Sequence, residues 1–181
     1  MKPALGKPEL RTRRLALSPV RKDDAAELEL HWGEPDVRRY LWDDRAPLQT
    51  DVDAVVARSE ADFRCSGYGL WAVRLADETQ LAGVCGVRNL KDSGDVEIVY
   101  SLAPQLWGRG LATEAAGAVL RYLFEELGLE RVFGGADEPN RASARVLAKL
   151  GMRYHGIIEQ DGDPVPFYLV TRAEFLEAEL L

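Results

Sequence analysis

The chain predicts an α/β domain built on a central, mixed sheet, and three observations predict it. Short stretches rich in β-branched and aromatic residues alternate with longer ones of helical period along the 181 residues. Their order, strands first and then strands interleaved with helices, gives a sheet that is partly antiparallel. The third is the segment from Val96 to Ala116, which reads as a strand, a short loop with two glycines and a helix.

Taken in order, Leu10 to Leu17 alternates charged with small or apolar residues, as a half-buried strand does. Asp23 to Trp32 is an amphipathic helix that Lys22 or Asp23 is placed to cap, and Asp36 to Leu41 is a short helix after Pro35. Thr50 is the expected cap of a helix reaching about Cys65. Strands follow over Gly69 to Leu75 and Leu81 to Asn89, joined by a polar turn, and then over Val96 to Leu102. A helix from Leu111 to Leu127 is stopped by Gly128. Next come a strand (Arg131 to Ala136), a helix (Pro139 to Leu150) and two strands (Met152 to Glu159, Val165 to Thr171) joined at Asp161-Gly162-Asp163-Pro164. Arg172 to Leu181 closes with a short helix. Length predicts a single domain over residues 10–181 behind a flexible tail of residues 1–9, and Met1 to Pro8 lacks the apolar core of a secretory signal.

Composition narrows the function classes. A chain 46% hydrophobic and 29% charged is not disordered, and no apolar run reaches the length of a membrane span. Cys65 and Cys85 read as packing residues in a reducing, cytoplasmic compartment. With His31 and His155 as the two histidines, no His-rich metal cluster is expected, and His155 reads as a strand-surface residue. A net charge of −7 argues against nucleic acid as a partner and suits a cationic acceptor.

The loop Trp107-Gly108-Arg109-Gly110-Leu111-Ala112-Thr113 opens a helix after a strand. Glycine lets a ligand touch the main chain, and the free N–H groups and helix dipole favour an anion there. A phosphate-bearing, nucleotide-derived cofactor is therefore expected. A dinucleotide fingerprint would need a third glycine where Thr113 stands, and a Walker loop would need Gly-Lys-Ser/Thr, which is missing. Downstream, Asn140-Arg141-Ala142-Ser143 opens a helix with an apolar face at Ala144, Leu147, Ala148 and Leu150, ended by Gly151.

These two segments together resemble the acyl-CoA motifs of the GNAT superfamily of N-acyltransferases. The pattern Arg/Gln-x-x-Gly-x-Gly/Ala fits from Gln105 to Gly110, or from Trp107 to Ala112, and the second register is preferred. The wording Trp107 to Ala115 also resembles the branch that acetylates the N-termini of ribosomal proteins. The resemblance runs from about Leu10 to Phe175. It implies the GNAT fold, a mostly antiparallel central sheet flanked by helices, and acetyl-CoA as co-substrate with no metal. The pyrophosphate would lie against Trp107, Gly108, Arg109, Gly110, Leu111, Ala112 and the Thr113 hydroxyl. An oxyanion donor is implied among the backbone amides of Tyr100, Ser101 and Leu102, and Asn140 would hold the pantetheine arm.

Acetyl transfer to an amine proceeds directly, without an acyl-enzyme, so positioning and oxyanion stabilisation dominate. Many relatives carry a Tyr acid seven residues after the motif Asn, where this chain has Leu147, and the ribosomal-protein branch points instead to Ser143. Glu97 is equally readable as a base acting through water or as an ordinary strand carboxylate. For the acceptor, Trp32, Tyr40 and Trp42, with Tyr68 and Trp71 near them in sequence, form an aromatic excess beside Asp36, Asp43 and Asp44, and faces and carboxylates of this kind suit an ammonium group. The expected acceptor is a primary amine, a peptide N-terminal α-amine by the branch resemblance. A polyamine or antibiotic amine, or a non-catalytic acyl-CoA sensor, are the alternatives. A monomer or homodimer is expected.

Overall fold

The computed structural model describes residues 8–90, 93–137, 139–160 and 163–178. Strands are β1 (Leu10–Arg11), β2 (Leu15–Pro19), β3 (Leu70–Leu75), β4 (Leu81–Asn89), β5 (Val96–Leu102), β6 (Arg131–Gly135), β7 (Arg153–Gln160) and β8 (Asp163–Thr171). Helices are α1 (Ala25–Gly33), α2 (Pro35–Leu41), α3 (Gln49–Ser66), α4 (Leu111–Arg121), α5 (Arg141–Lys149) and α6 (Arg172–Ala178). The strands form one sheet in the order β1-β2-β3-β4-β5-β6-β8-β7. All neighbours are antiparallel except β5 and β6, which α4 connects as a crossover.

The period of two along the strands splits the core into two layers. Trp71 and Val73 of β3 join Leu15, Leu17, Cys85 and Ile98 beneath the apolar face of α4. Ala72 and Val84 face the other way, beneath Leu28 and Trp32 of α1, Val37 of α2, and Val52 and Val56 of α3. Trp71 meets Phe63 edge-on at 4.8 Å and Tyr122 at 5.8 Å. Its indole N–H donates to the Pro8 carbonyl at 2.8 Å, so ordered chain begins before the expected end of the tail at residue 9; residues 1–7 lie outside the described residues.

The β4–β5 ladder pairs seven residues on each strand, Gly83 to Asn89 with Val96 to Leu102. The β5–β6 register holds one pair, Glu97 with Phe133. Beyond Glu97 the two parallel strands part, and a cleft opens between them.

Several element boundaries differ from the sequence reading. The strand expected over Leu10 to Leu17 is a hairpin, because the Thr12 hydroxyl accepts from the Arg14 and Leu15 amides and turns the chain. The first helix is preceded by a 3₁₀ turn, Lys22–Asp24, with Asp24 rather than Lys22 or Asp23 accepting from the Arg21 amide. Helix α3 starts at Gln49, and Asp51 rather than Thr50 makes the terminal bond, by accepting from the Leu48 amide at 2.9 Å. Helix α4 gives way at Tyr122 to a π turn, Tyr122–Glu126, before Gly128 in left-handed conformation. Helix α5 starts one residue after Asn140. The turn residues 161–162 and the end of the last helix, 179–181, lie outside the described residues. No described helix is long and apolar enough to cross a membrane, and no group of metal-ligating side chains occurs among the described residues. Cys85 is buried and Cys65 exposed, and neither is disulfide-bonded.

Strand β4 presses closely on β5. A Cβ on Gly83 would lie 2.1 Å from the Ser101 carbonyl oxygen, in a backbone with φ +153°. Gly83→Ala is therefore expected to cost about 2 kcal/mol or more of stability, read as a fall of several degrees in Tm by thermal unfolding, whereas Gly94→Ala on an open turn should cost far less.

Candidate active site

The cleft has a volume of about 570 Å³ and is walled by β5, the loop before α4, one face of α5, and α2. Each wall follows from local sequence. After β5, Pro104–Leu106 makes a 3₁₀ turn and Gly108 and Gly110 take left-handed φ of 74° and 75°. A Cβ on Gly108 would meet nothing within 4 Å, and one on Gly110 only Arg14 Nη2 at 3.8 Å. The glycines are thus required by backbone conformation, and the space above them is open to a ligand. The first amides of α4 have no intrahelical acceptors and point there with the positive end of the helix dipole. The β1–β2 turn braces this loop: Arg14 pairs with Glu114 in the first turn of α4 at 2.6 Å and donates to the Arg109 carbonyl at 3.0 Å, and Thr12 donates to Glu114. Gly108, Gly110, Leu111, Ala112 and Thr113 line the cleft, while Arg109 does not. Trp107, half exposed at 50%, lines it too and ties the loop to β5 by donating to the Leu102 carbonyl at 2.7 Å.

Strand β5 supplies the centre. The Ala103 amide donates to Ala82 and the Val87 amide to Gly69. That phase directs the Ser101 amide to β4 and the Tyr100 and Leu102 amides into the parting between β5 and β6. The side chains alternate as well: Tyr100 joins the α4 layer, and Ser101 faces α1.

Helix α5 begins with Asn140 capping the Ser143 amide at 3.0 Å through Oδ1, with its amide N–H groups left for a ligand. The Ser143 hydroxyl lies 2.9 Å from the Tyr100 hydroxyl, which also donates to the Ser143 carbonyl at 3.1 Å. Burial pushes the Tyr100 pKa well up, and the Ser143 hydrogen bond pulls it the other way. The Tyr100 hydroxyl therefore keeps its proton. Leu147 is fully buried in the core. Arg141, Arg145 and Lys149, four residues apart, put a cationic stripe of α5 on the cleft, a spacing that the sequence reading passed over.

Glu97 is not a surface strand carboxylate: it is 3% exposed, accepts from the Gly135 amide at 3.0 Å and pairs with Arg88 at 2.8 Å. It straps β4, β5 and β6 together at the point where the parting begins. With Asp36 and Asp137 it lines the cleft, where Arg88 and Arg39 stand beside Glu97 and Asp36 as their ion-pair partners. Partial burial, and then the charges of Asp43, Asp163 and Glu97, raise the Asp137 pKa.

Of the aromatics expected to meet the acceptor, Tyr40 lines the cleft. Trp32 does not: it is 2% exposed and packs in the α1–α3 layer with its ring 5.6 Å from Trp42, which also lies off the cleft. Trp32 on α1 and Trp42 just after α2 extend the apolar layer, which a sequence excess of aromatics cannot distinguish from a pocket. Tyr68 bonds Asn89, and Trp71 is core. His155 is exposed, edge-on to Phe133.

The sequence reading missed His31. It is 7% exposed on α1, and its Nε2 lies 2.9 Å from the Ser101 hydroxyl. Burial lowers its pKa to about 4, with the Ser101 backbone pulling weakly upward.

The sequence matches the acetyltransferase (GNAT) domain family over residues 14–153. Protein YkkB of Bacillus subtilis is 31% identical over 149 residues, 81% of this chain and 86% of that protein. An acetyltransferase of Agrobacterium tumefaciens has the same fold at a TM-score of 0.80, covering 90% of this chain and 94% of that one at 24% identity. The microcin C7 self-immunity acetyltransferase MccE, crystallised with acetyl-CoA and AMP, matches at a TM-score of 0.73 over 88% and 93% of the two chains, at 16% identity. A strand, glycine loop and helix around a parted sheet define an acyl-CoA-dependent acetyltransferase. The chain belongs to the GNAT family, as an N-acetyltransferase.

Because the folded His31 pKa of about 4 lies below the ordinary value of 6.5, the unfolded chain binds the extra proton between those limits. The stability His31 contributes is whole above pH 6.5 and is lost as pH falls towards 4. His31→Gln is expected to flatten the acid limb of a denaturant-unfolding series over that window by up to about 3 kcal/mol relative to wild type.

Proposed function

We propose that this cleft moves an acetyl group from acetyl-CoA directly to a primary amine, the α-amine of a peptide or protein N-terminus. The observation that carries the reading is the division of the cleft. Cations of α5 and the open glycine loop suit the phosphates of the donor, and Asp137 and Tyr40 suit an ammonium group, beside Asp36 and Glu97 in their pairs with Arg39 and Arg88. The N-terminal specificity is supported by the likeness of Trp107 to Ala115 to the ribosomal-protein branch.

Acetyl-CoA supplies an activated thioester. The amides of Gly108 to Thr113 hold its pyrophosphate, and the Asn140 side-chain N–H groups meet the pantetheine arm. The Leu102 amide, free of β4, donates to the thioester oxygen as negative charge develops there. Ser143, with the Tyr100 hydroxyl behind it, delivers a proton to the leaving sulfur. A thiol with a pKa of about 8.5 needs no stronger acid. An α-amine with a pKa near 8 is partly neutral at pH 7 and needs little base. Glu97, its charge matched by Arg88, is the candidate base by way of a water.

Gly110→Asp adds bulk and a like charge at the cradle and should abolish acetyl-CoA binding by calorimetry; unchanged affinity refutes the cradle. Ser143→Ala should lower kcat more than it raises KM. The test of the whole reading is CoA release from acetyl-CoA with N-terminal peptides, polyamines and aminoglycosides in turn. Turnover with a basic peptide is expected to fall as salt rises past about 0.1 M, where charges are screened beyond about 10 Å, while a neutral peptide shows little change. Turnover of polyamines or aminoglycosides alone moves the acceptor to small molecules. Tight acetyl-CoA binding without any turnover makes the protein a sensor.

A further inference from the structure

We infer that His31 is a positioning residue for the amine: its Nε2, 2.9 Å from Ser101 Oγ, accepts that hydroxyl's proton in a hydrogen bond and leaves the serine lone pairs facing the cleft to receive an N–H of the attacking amine. The inference rests on the reading that the acceptor is an amine.

Three features converge on it. Ser101 lines the cleft directly between Tyr100 and Leu102, whose amides enter the parting, so its hydroxyl lies beside the place where the acyl carbon is attacked. Strand alternation sends Tyr100 to the α4 layer and Ser101 to the opposite one, so the leaving sulfur and the incoming amine are served from opposite faces of one strand. Ser101 pairs with Val84, and the layer around His31 is otherwise made of Leu28, Trp32, Val37, Ala72 and Val84. A polar pair in such a layer is costly unless its bond is made, and when made it fixes both partners in one orientation.

Burial keeps His31 neutral at working pH, so one ring nitrogen remains an acceptor. With His31 accepting, Ser101 has no proton to offer the cleft and can only accept from the amine. That bond aims the nitrogen lone pair at the carbonyl carbon. The amine attacks as its free base, the C–N bond forms and the C–S bond breaks. Ser143 protonates the sulfur and is reprotonated by water, and the surplus proton on nitrogen leaves to water. His31 exchanges none.

The experiment has two arms. In kinetics, His31→Phe and Ser101→Ala should each lower kcat with the amine about tenfold, the worth of one hydrogen bond. The double variant should be no slower than either single variant. His31→Phe should leave the acetyl-CoA Kd unchanged, and His31→Gln, whose carbonyl can accept from Ser101, should recover most of the rate. Losses that multiply in the double variant, or a Gln variant as slow as the Phe one, overturn the inference. In the second arm, ¹⁵N NMR of the wild-type imidazole reads the tautomer with no variant that must fold. An Nδ1–H ring with bare Nε2 is expected, and an Nε2–H ring overturns the inference. Wild-type turnover with any amine tests the acceptor reading separately, since it does not depend on these ratios.

Discussion

The single register pair between β5 and β6 is the constraint on which the rest depends. A parallel pair of strands would normally zip along its length, satisfying one amide after another. Here the ladder stops at Glu97 and Phe133, and beyond it the amides of Tyr100 and Leu102 point away from β4. A structure keeps such amides open only where water or a ligand completes them. Glu97 makes the geometry stable. Its carboxylate ties the Gly135 amide on β6 and the Arg88 guanidinium on β4 to β5, so the strands are held together where the parting begins and are free beyond it. The near-complete burial of this charge is tolerable because both oxygens are matched.

Given the parting, the alternation of β5 organises the chemistry. Successive residues Tyr100, Ser101 and Leu102 contribute a hydroxyl to one face, a hydroxyl to the other and an amide to the middle. The N-terminal hairpin sets the remaining coordinate. Arg14 reaches from the β1–β2 turn to Glu114 and to the Arg109 carbonyl, so a segment remote in sequence holds the anion loop in place. Arg109 thus serves through its main chain, although its side chain stands in the motif.

The glycine loop and the start of α5 were legible in the sequence because their conformation is local. Backbone conformation, helix capping and dipole are decided within a few residues, and Gly108, Gly110, Asn140 and Ser143 fall where the pattern put them. Strand and helix order was legible for the same reason. What was not legible depends on contacts distant in sequence. His31 and Ser101 are 70 residues apart, and nothing in the period of α1 separates a histidine facing an apolar layer from one facing a strand hydroxyl. Trp32 and Trp42 show the converse. They are aromatic and near the acceptor side in sequence, yet they pack into the α1–α3 layer, because a helix that covers a sheet needs large apolar side chains whether or not a pocket is nearby. Glu97 was legible as a carboxylate at the right place but not as a strap, since its partners lie on β4 and β6.

The position of Leu147 shows how a reading along the sequence and one in three dimensions differ. Read along the sequence, α5 carries Leu147 rather than a hydroxyl one turn after Ser143. In three dimensions Leu147 fills the core under α5, and the Tyr100 hydroxyl arrives beside Ser143 from the facing strand. A hydroxyl carried by β5 is fixed by the sheet, is held in its protonated form by burial, and bonds both the hydroxyl and the carbonyl of Ser143. A single phenolic proton is thereby held between two acceptors of one residue, which fixes Ser143 against β5. Leu147 is thus a packing residue, and the hydroxyl that reaches Ser143 is carried by the strand.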